Sequence, residues 1–302
     1  MKIGIIGAGK WGEALKSALL QKNNEVLIAS VTNRTSPALS SLSEVLNCEY
    51  IIISISTQHT YEWLKNNFVF NNQKILVASK GIDLKTHKFL NEIYEEFIPS
   101  SNLAYLSGPS FAKEVKEALP TALVINSINK ELSYLFMQLF PPFIKTYASD
   151  DVIGAEIAGA YKNVIAIASG VCEALNLGNN ARAALITRGL AEMSRFGLFF
   201  GAKMESFLGL SGVGDLFLTA TSTLSRNYRV GYGLGGGKKI EEILKELGEV
   251  AEGVPTAKAI VEIAKEKNLY TPIANEVNEI INGKNAKESL FKLLERNKKE
   301  EF

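Results

Sequence analysis

Lys162 stands where a lysine needs a reason. The run Ile157-Ala-Gly-Ala-Tyr-Lys-Asn-Val-Ile-Ala-Ile-Ala168 is apolar or small on nearly every helical face, and a helix of that kind is buried. Its neighbours three and four positions away are Ala158, Gly159, Ile165 and Ala166, so no carboxylate on the same helix can pair with it. A buried ammonium loses proton affinity and becomes a competent proton donor and acceptor near neutral pH; pairing across helices or snorkelling to the surface is the structural alternative. Lys80, after the apolar run Lys74 to Ser79 and before Gly81, is the second candidate. Leu210-Ser-Gly-Val-Gly-Asp215 supplies a carboxylate, or simply a helix cap. Ser225-Arg226-Asn227 sets hydroxyl, guanidinium and amide side by side, a grip suited to phosphate. Ser107-Gly108-Pro109-Ser110 offers backbone amides and a hydroxyl to an anion, or an ordinary cap at Ser110.

A second constellation lies at the start of the chain. Gly7-Ala8-Gly9-Lys10-Trp11-Gly12 fits G-x-G-x-x-G, follows the apolar run Ile3-Gly-Ile-Ile6 and opens a helical pattern. In that context Gly7 allows a tight turn, Gly9 a close approach to a pyrophosphate and Gly12 close helix–strand packing. The helix start then faces the anion with unpaired N–H groups. The end of the next strand, Ser30-Val-Thr-Asn-Arg34, carries no carboxylate to hold ribose hydroxyls. Arg34 suits a 2′-phosphate instead, which favours NADP(H) over NAD(H).

These residues need a scaffold that brings them together. Strand patterns at Lys2–Ile6, Glu25–Ser30, Tyr50–Ser54, Lys74–Ser79, Leu103–Ser107 and Thr121–Ile125 alternate with helical segments, including Trp11–Gln21 and Phe111–Ala118. Such alternation predicts an α/β fold, a Rossmann-type, mainly parallel sheet with helices on both faces. The link 31–49 is short and leaves room only for a turn or two of helix at Ser40–Leu46. From about Asp150 long helical patterns take over: Asp151–Leu175, Arg182–Gly197, Leu216–Thr221, Ile240–Glu246, Thr256–Lys267, Pro272–Ile281 and Ala286–Lys298. Gly233-Leu-Gly-Gly-Gly237 has no strand before it and reads as a flexible connection. The seam falls between Tyr147 and Val152, giving a dinucleotide-binding domain over 1–149 and an all-helical domain over 150–302.

Composition narrows the rest. The 302 residues suit two domains, and 33 basic against 32 acidic side chains leave a net charge of +1. That balance argues against nucleic acid and anionic membranes as partners. The apolar stretch Ile153–Leu175 contains Glu156, Lys162 and Glu173, the mark of a buried core helix and not of membrane insertion. Cys48 and Cys172 show no metal or redox spacing, and His59 and His87 belong to no cluster. No metal is expected. The chain enters structure at Lys2 without a secretory pattern, so a cytoplasmic location is expected.

Taken in order, Gly7–Gly12, Ser79-Lys-Gly81, Ser107-Gly-Pro-Ser-Phe-Ala112, Gly159–Ala166, Ala181–Glu192, Gly212-Val-Gly-Asp-Leu216, Ser225-Arg-Asn227 and Val250-Ala-Glu-Gly253 resemble the NAD(P)-dependent glycerol-3-phosphate dehydrogenases of bacteria over nearly the whole length. The resemblance implies reversible reduction of dihydroxyacetone phosphate to sn-glycerol 3-phosphate for phospholipid synthesis, and a homodimer. It implies Lys162 as acid/base, and Lys80, Gly108, Ser110, Asp215, Ser225, Arg226 and Asn227 as substrate contacts. Trp11, Arg34, Lys80, Ala112, Arg226, Val250 and Glu252 would touch the dinucleotide. Three features depart from the family pattern: Lys10 in place of a small polar residue, the short 31–49 link, and Ser56-Thr57 in place of Pro-Ser. Beside a pyrophosphate, Lys10 should aid binding. A β-hydroxyacid dehydrogenase, which also places Lys-Asn on a central helix, and a catalytically silent nucleotide sensor are the competing readings.

Overall fold

The computed structural model describes residues 1–32 and 38–295. Arg34, and the last residues of the expected helix Ala286–Lys298, lie outside the described residues.

Seven strands form one sheet: β1 (Lys2–Ile6), β2 (Glu25–Ala29), β3 (Tyr50–Ile53), β4 (Lys74–Val77), β5 (Leu103–Ser107), β6 (Thr121–Asn126) and β7 (Ile144–Ser149). Their order is β2-β1-β3-β4-β5-β6-β7. All pairings are parallel except β5 with β6, where Leu106 faces Ile125 in an antiparallel register. The inner strands are Ile/Val runs buried on both faces, as expected where helices cover a sheet on each side. Six helices accompany them: α1 (Lys10–Leu20), α2 (Leu42–Leu46), α3 (Thr57–Asn67), α4 (Leu90–Tyr94), α5 (Ala112–Lys116) and α6 (Lys130–Met137). The short α2 occupies the abbreviated link after β2. Because β2 and β3 flank β1 on opposite sides, the sheet opens a crevice beyond the carboxyl end of β1.

After β7 the chain is helical: α7 (Val152–Ala174), α8 (Gly178–Phe199), α9 (Met204–Leu208), α10 (Asp215–Ala220), α11 (Arg226–Gly235), α12 (Ile240–Leu247), α13 (Gly253–Glu266), α14 (Pro272–Ile281) and α15 (Ala286–Leu294). The hub is α7, buried along 19 consecutive residues from Gly154 to Cys172. It is apolar and long enough to cross a membrane, yet 89% of its most apolar stretch is covered by other parts of the fold. Helices α8, α10, α11 and α13 pack around it.

Three features depart from the sequence-based expectation. Strand β7 carries only a weak strand pattern, because it pairs only with β6 and exposes alternate residues. The run 233–237 is a connection only at its end: α11 runs through Gly235, and Gly236 and Gly237 begin the link to α12. Glycine lets α11 press on α7 backbone to backbone. A Cβ on Gly231 would lie 1.9 Å from the Ile167 carbonyl oxygen, and one on Gly170 would lie 2.1 Å from that of Tyr228. Helix α8 also starts earlier than expected, at Gly178.

Candidate active site

Lys162 and Lys80 approach one carboxylate from different parts of the fold, α7 and the turn after β4. Lys162 is buried mid-way along α7, and its Nζ donates to Asp215 Oδ1 at 2.5 Å and to Thr219 Oγ1 at 3.0 Å. Lys80, in the turn after β4, donates to Asp215 Oδ2 at 2.5 Å and to the Gly108 carbonyl at 3.3 Å. Asp215 is 1% exposed. It opens α10, but its side chain does not cap that helix; both oxygens are given to lysines. Thus the partner that Lys162 lacks on its own helix is supplied across the helical domain.

The charges set each other's protonation. Burial lowers Lys162 from 10.5 to about 8; Asp215 opposes that shift, while Lys80 and Arg226 add to it. Burial pushes the Asp215 carboxyl up, but the two ammonium groups and their hydrogen bonds outweigh it and hold the group below its ordinary value. The result is a lysine poised to gain or lose a proton near neutrality, on a carboxylate that stays ionised.

The glycine turn follows β1. Gly7 has φ +111°, and Gly12 sits against it so closely that a Cβ would fall 1.9 Å from the Gly7 carbonyl. A Cβ on Gly9 would meet nothing within 4 Å. No side chain caps the α1 start at Gly9. An open cradle at an uncapped helix start fits a dinucleotide pyrophosphate. Trp11 closes one wall, its Nε1 donating to the Ala78 carbonyl at 3.0 Å.

Most of the other anticipated residues have partners within the fold, and one expectation, a helix cap at Ser110, is not met. Lys10 is held by Glu249, between α12 and α13, so its charge is shared with a carboxylate. The other Glu249 oxygen accepts from Arg226 at 3.3 Å. Ser110 does not cap a helix: α5 starts at Ala112 after Phe111, and the Ser110 hydroxyl donates to the Gly108 carbonyl at 3.3 Å. Ser225 caps α11 by accepting the Tyr228 N–H at 3.2 Å. Asn227 Oδ1 accepts the Gly253 N–H at 2.9 Å, which leaves its amide hydrogens for a ligand. Glu252 accepts the Ser56 hydroxyl at 2.6 Å, 196 positions away in the chain, and Val250, two residues before it, is exposed. Burial raises the Glu252 carboxyl, against the Ser56 hydroxyl and the Thr57 amide. Ala112 is half-buried.

Sequence reasoning missed Thr219 and Glu249. Thr219 was findable, one helical turn beyond Asp215; Glu249 was not, because it meets its partners only through the fold. Among the described residues no cluster of histidine, cysteine and carboxylate is arranged to hold a metal ion. Cys48 and Cys172 are both buried thiols.

Fold and site together define a class: dinucleotide-dependent oxidoreductases whose α/β domain presents the cofactor to a helical domain that completes the site. Comparison with known proteins narrows the class. The family models for the N-terminus and C-terminus of NAD-dependent glycerol-3-phosphate dehydrogenase match residues 30–133 and 151–292. Glycerol-3-phosphate dehydrogenase [NAD(P)+] from Nitratiruptor sp. is 60% identical over 297 residues, covering 98% of this chain and 99% of that protein. The enzyme of the same name from Sulfurimonas denitrificans is 61% identical over 282 residues, covering 93% and 95%. The crystal structure of glycerol-3-phosphate dehydrogenase from Coxiella burnetii superposes with a TM-score of 0.90 at 32% identity, over 98% of this chain and 99% of that one. The chain belongs to the NAD-dependent glycerol-3-phosphate dehydrogenase family.

Proposed function

We propose that this chain reversibly reduces dihydroxyacetone phosphate to sn-glycerol 3-phosphate, with NADP(H) or NAD(H) as hydride carrier. The observation that carries the reading is the buried Lys162–Asp215–Lys80 cluster in a fold that also presents an open dinucleotide cradle at Gly7–Gly12. The names of its relatives support the substrate.

The nicotinamide cofactor supplies the hydride; the protein supplies position, charge and a proton. Gly7, Gly9 and Gly12 shape the cradle, with Lys10, Trp11, Ala112, Val250 and Glu252 around it. Lys162, protonated, donates to the substrate oxygen as negative charge grows there. Lys80 adds a second cation near the same atom. Asp215 holds both ammonium groups in register and offsets their repulsion. Arg226 grips the phosphate, joined by the Asn227 amide, the Ser225 and Ser110 hydroxyls and backbone around Gly108. The chain is read as two domains, 1–149 and 150–302: the first carries most of the dinucleotide cradle and the second most of the substrate and proton-transfer groups, with Lys80, Gly108 and Ser110 reaching the substrate from the first and Val250 and Glu252 reaching the cofactor from the second. The lack of a carboxylate after β2, together with Arg34, favours NADP(H). By family likeness the enzyme is a cytoplasmic homodimer that supplies phospholipid synthesis.

The test is consumption of NADPH and of NADH with dihydroxyacetone phosphate, run beside Lys162→Ala. The variant is expected to lose about 10²- to 10⁴-fold in kcat with cofactor affinity unchanged. A variant that keeps its kcat removes Lys162 from proton transfer.

A further inference from the structure

Asp215 must face lysines from two parts of the fold at once, so something has to fix its helix relative to the sheet. It comes directly after a single π-type turn, Leu210–Gly214, in which the Gly214 N–H donates to the Gly209 carbonyl at 3.2 Å. A turn of this kind inserts one residue and rotates the helix beyond it, and such turns concentrate at functional sites. Within it Ser211 is buried, and its Oγ lies 2.6 Å from Ser107 Oγ at the end of β5.

Ser107 is itself fixed from the sheet. Asn126 on β6, 1% exposed, donates through Nδ2 to Ser107 Oγ at 2.8 Å and to the Tyr105 carbonyl at 3.0 Å. With that amide donor on Ser107 Oγ, the Ser107 proton is available to Ser211. Ser107 directly precedes Gly108, whose carbonyl accepts from Lys80. One buried hydroxyl pair therefore joins the strand end that supports Lys80 to the turn that supports Asp215.

We propose that the Ser107–Ser211 pair is a positioning device for the catalytic cluster, setting Asp215 at one distance from Lys80 and Lys162. The inference rests on the proposed role of Lys162. Its chemical consequence has a definite sign. The charged groups acting on Lys162 are Asp215 from α10, Lys80 from the turn after β4 and Arg226 from α11. Of these only Asp215 favours the ammonium. If Asp215 drifts, Lys162 releases its proton more readily, and reduction, which needs the ammonium, fails at a lower pH.

The experiment measures kcat against pH for reduction in the full-length enzyme. It compares wild type with Ser211→Ala, Ser107→Ala, the double variant and Asp215→Asn, and records Tm for each. Both single variants are expected to lose about 10- to 100-fold in kcat, the scale of a small misplacement. Their high-pH limb should move down, in the same direction as that of Asp215→Asn. The double variant should be no worse than the worse single one, because one contact is lost in all three. Ser107→Ala reports the same contact from the sheet side should Ser211→Ala fold poorly. Variants that lower Tm but leave the limb in place, or whose losses multiply in full, overturn the positioning role. If Lys162→Ala keeps its rate, the proton-transfer assignment fails first and takes this inference with it; if Lys162 holds and the serine variants do not shift the limb, the positioning role fails alone.

Discussion

At the scale of the residue, the informative fact about Lys162 is the balance acting on it. Burial alone would strip its proton, and Lys80 and Arg226 push the same way; Asp215 and its hydrogen bond push back, leaving a value of about 8. In the proposed role of Lys162, ketone reduction uses the ammonium and alcohol oxidation the amine. The rate of reduction should therefore be flat below about pH 8 and fall above it, while oxidation rises through the same value. Profiles of kcat in the two directions check this: one shared limb of opposite sign is expected. Two limbs far apart would mean that different groups serve the two directions.

At the scale of the element, α7 carries a second buried ionisable group on the side facing α4. Glu156 accepts the Leu90 N–H at 3.0 Å, tying the helical hub to the α/β domain. Burial raises its carboxyl from 4.5 to about 8, against the Leu90 and Asn91 amides and Lys80, with Glu92 adding to the rise. The folded protein therefore holds a proton there that the unfolded chain has released, so stability falls as pH rises from about 4.5 to 8. Glu192 and Glu252 are raised by burial too and add to the same slope. Glu156→Gln should flatten part of that slope, which Tm measured across the window would show; an unchanged slope would place its origin in the other carboxylates.

The same scale explains what was legible in the sequence. The glycine fingerprint, the inner Ile/Val strands and the apolar helix around Lys162 are local patterns, and local patterns can be read along a chain. Strand β7 is an edge with half its side chains exposed, so its alternation carries little signal. Helix α11 is rich in glycine because α7 lies against its backbone, a reason that exists only in three dimensions. Lys162 announced itself by being out of place, whereas its pairing with Asp215, 53 residues on, depends on how α10 is set against α7. Glu249 gave no sign at all, since Lys10 is 239 positions away.

At the scale of the whole molecule, the site is assembled along the seam between the sheet with its helices and the helices after β7. Lys80 with Asp215, Ser56 with Glu252 and Lys10 with Glu249 all cross the seam, but they are not equal. The first two are largely shielded, whereas the Lys10 side chain is 77% exposed. An exposed pair contributes little and is screened by salt. Lys10→Ala is therefore expected to lower stability by no more than about 1 kcal/mol, with the difference gone at high salt. Urea titrations at low and high ionic strength decide it; a large loss that survives salt would mean that Lys10 also packs.

The backbone contact between α7 and α11 reaches further than stability. Lys162 sits on one of these helices and Arg226 opens the other, and with glycine at the crossing neither can slide or roll without collision. In their proposed roles of proton donor and phosphate grip, Lys162 and Arg226 are thus the two jaws of a caliper with no screw. On that reading the span between a substrate's carbonyl and its phosphate is gauged by a fixed setting, and a phosphate ester one carbon longer or shorter is expected to seat at one jaw and miss the other.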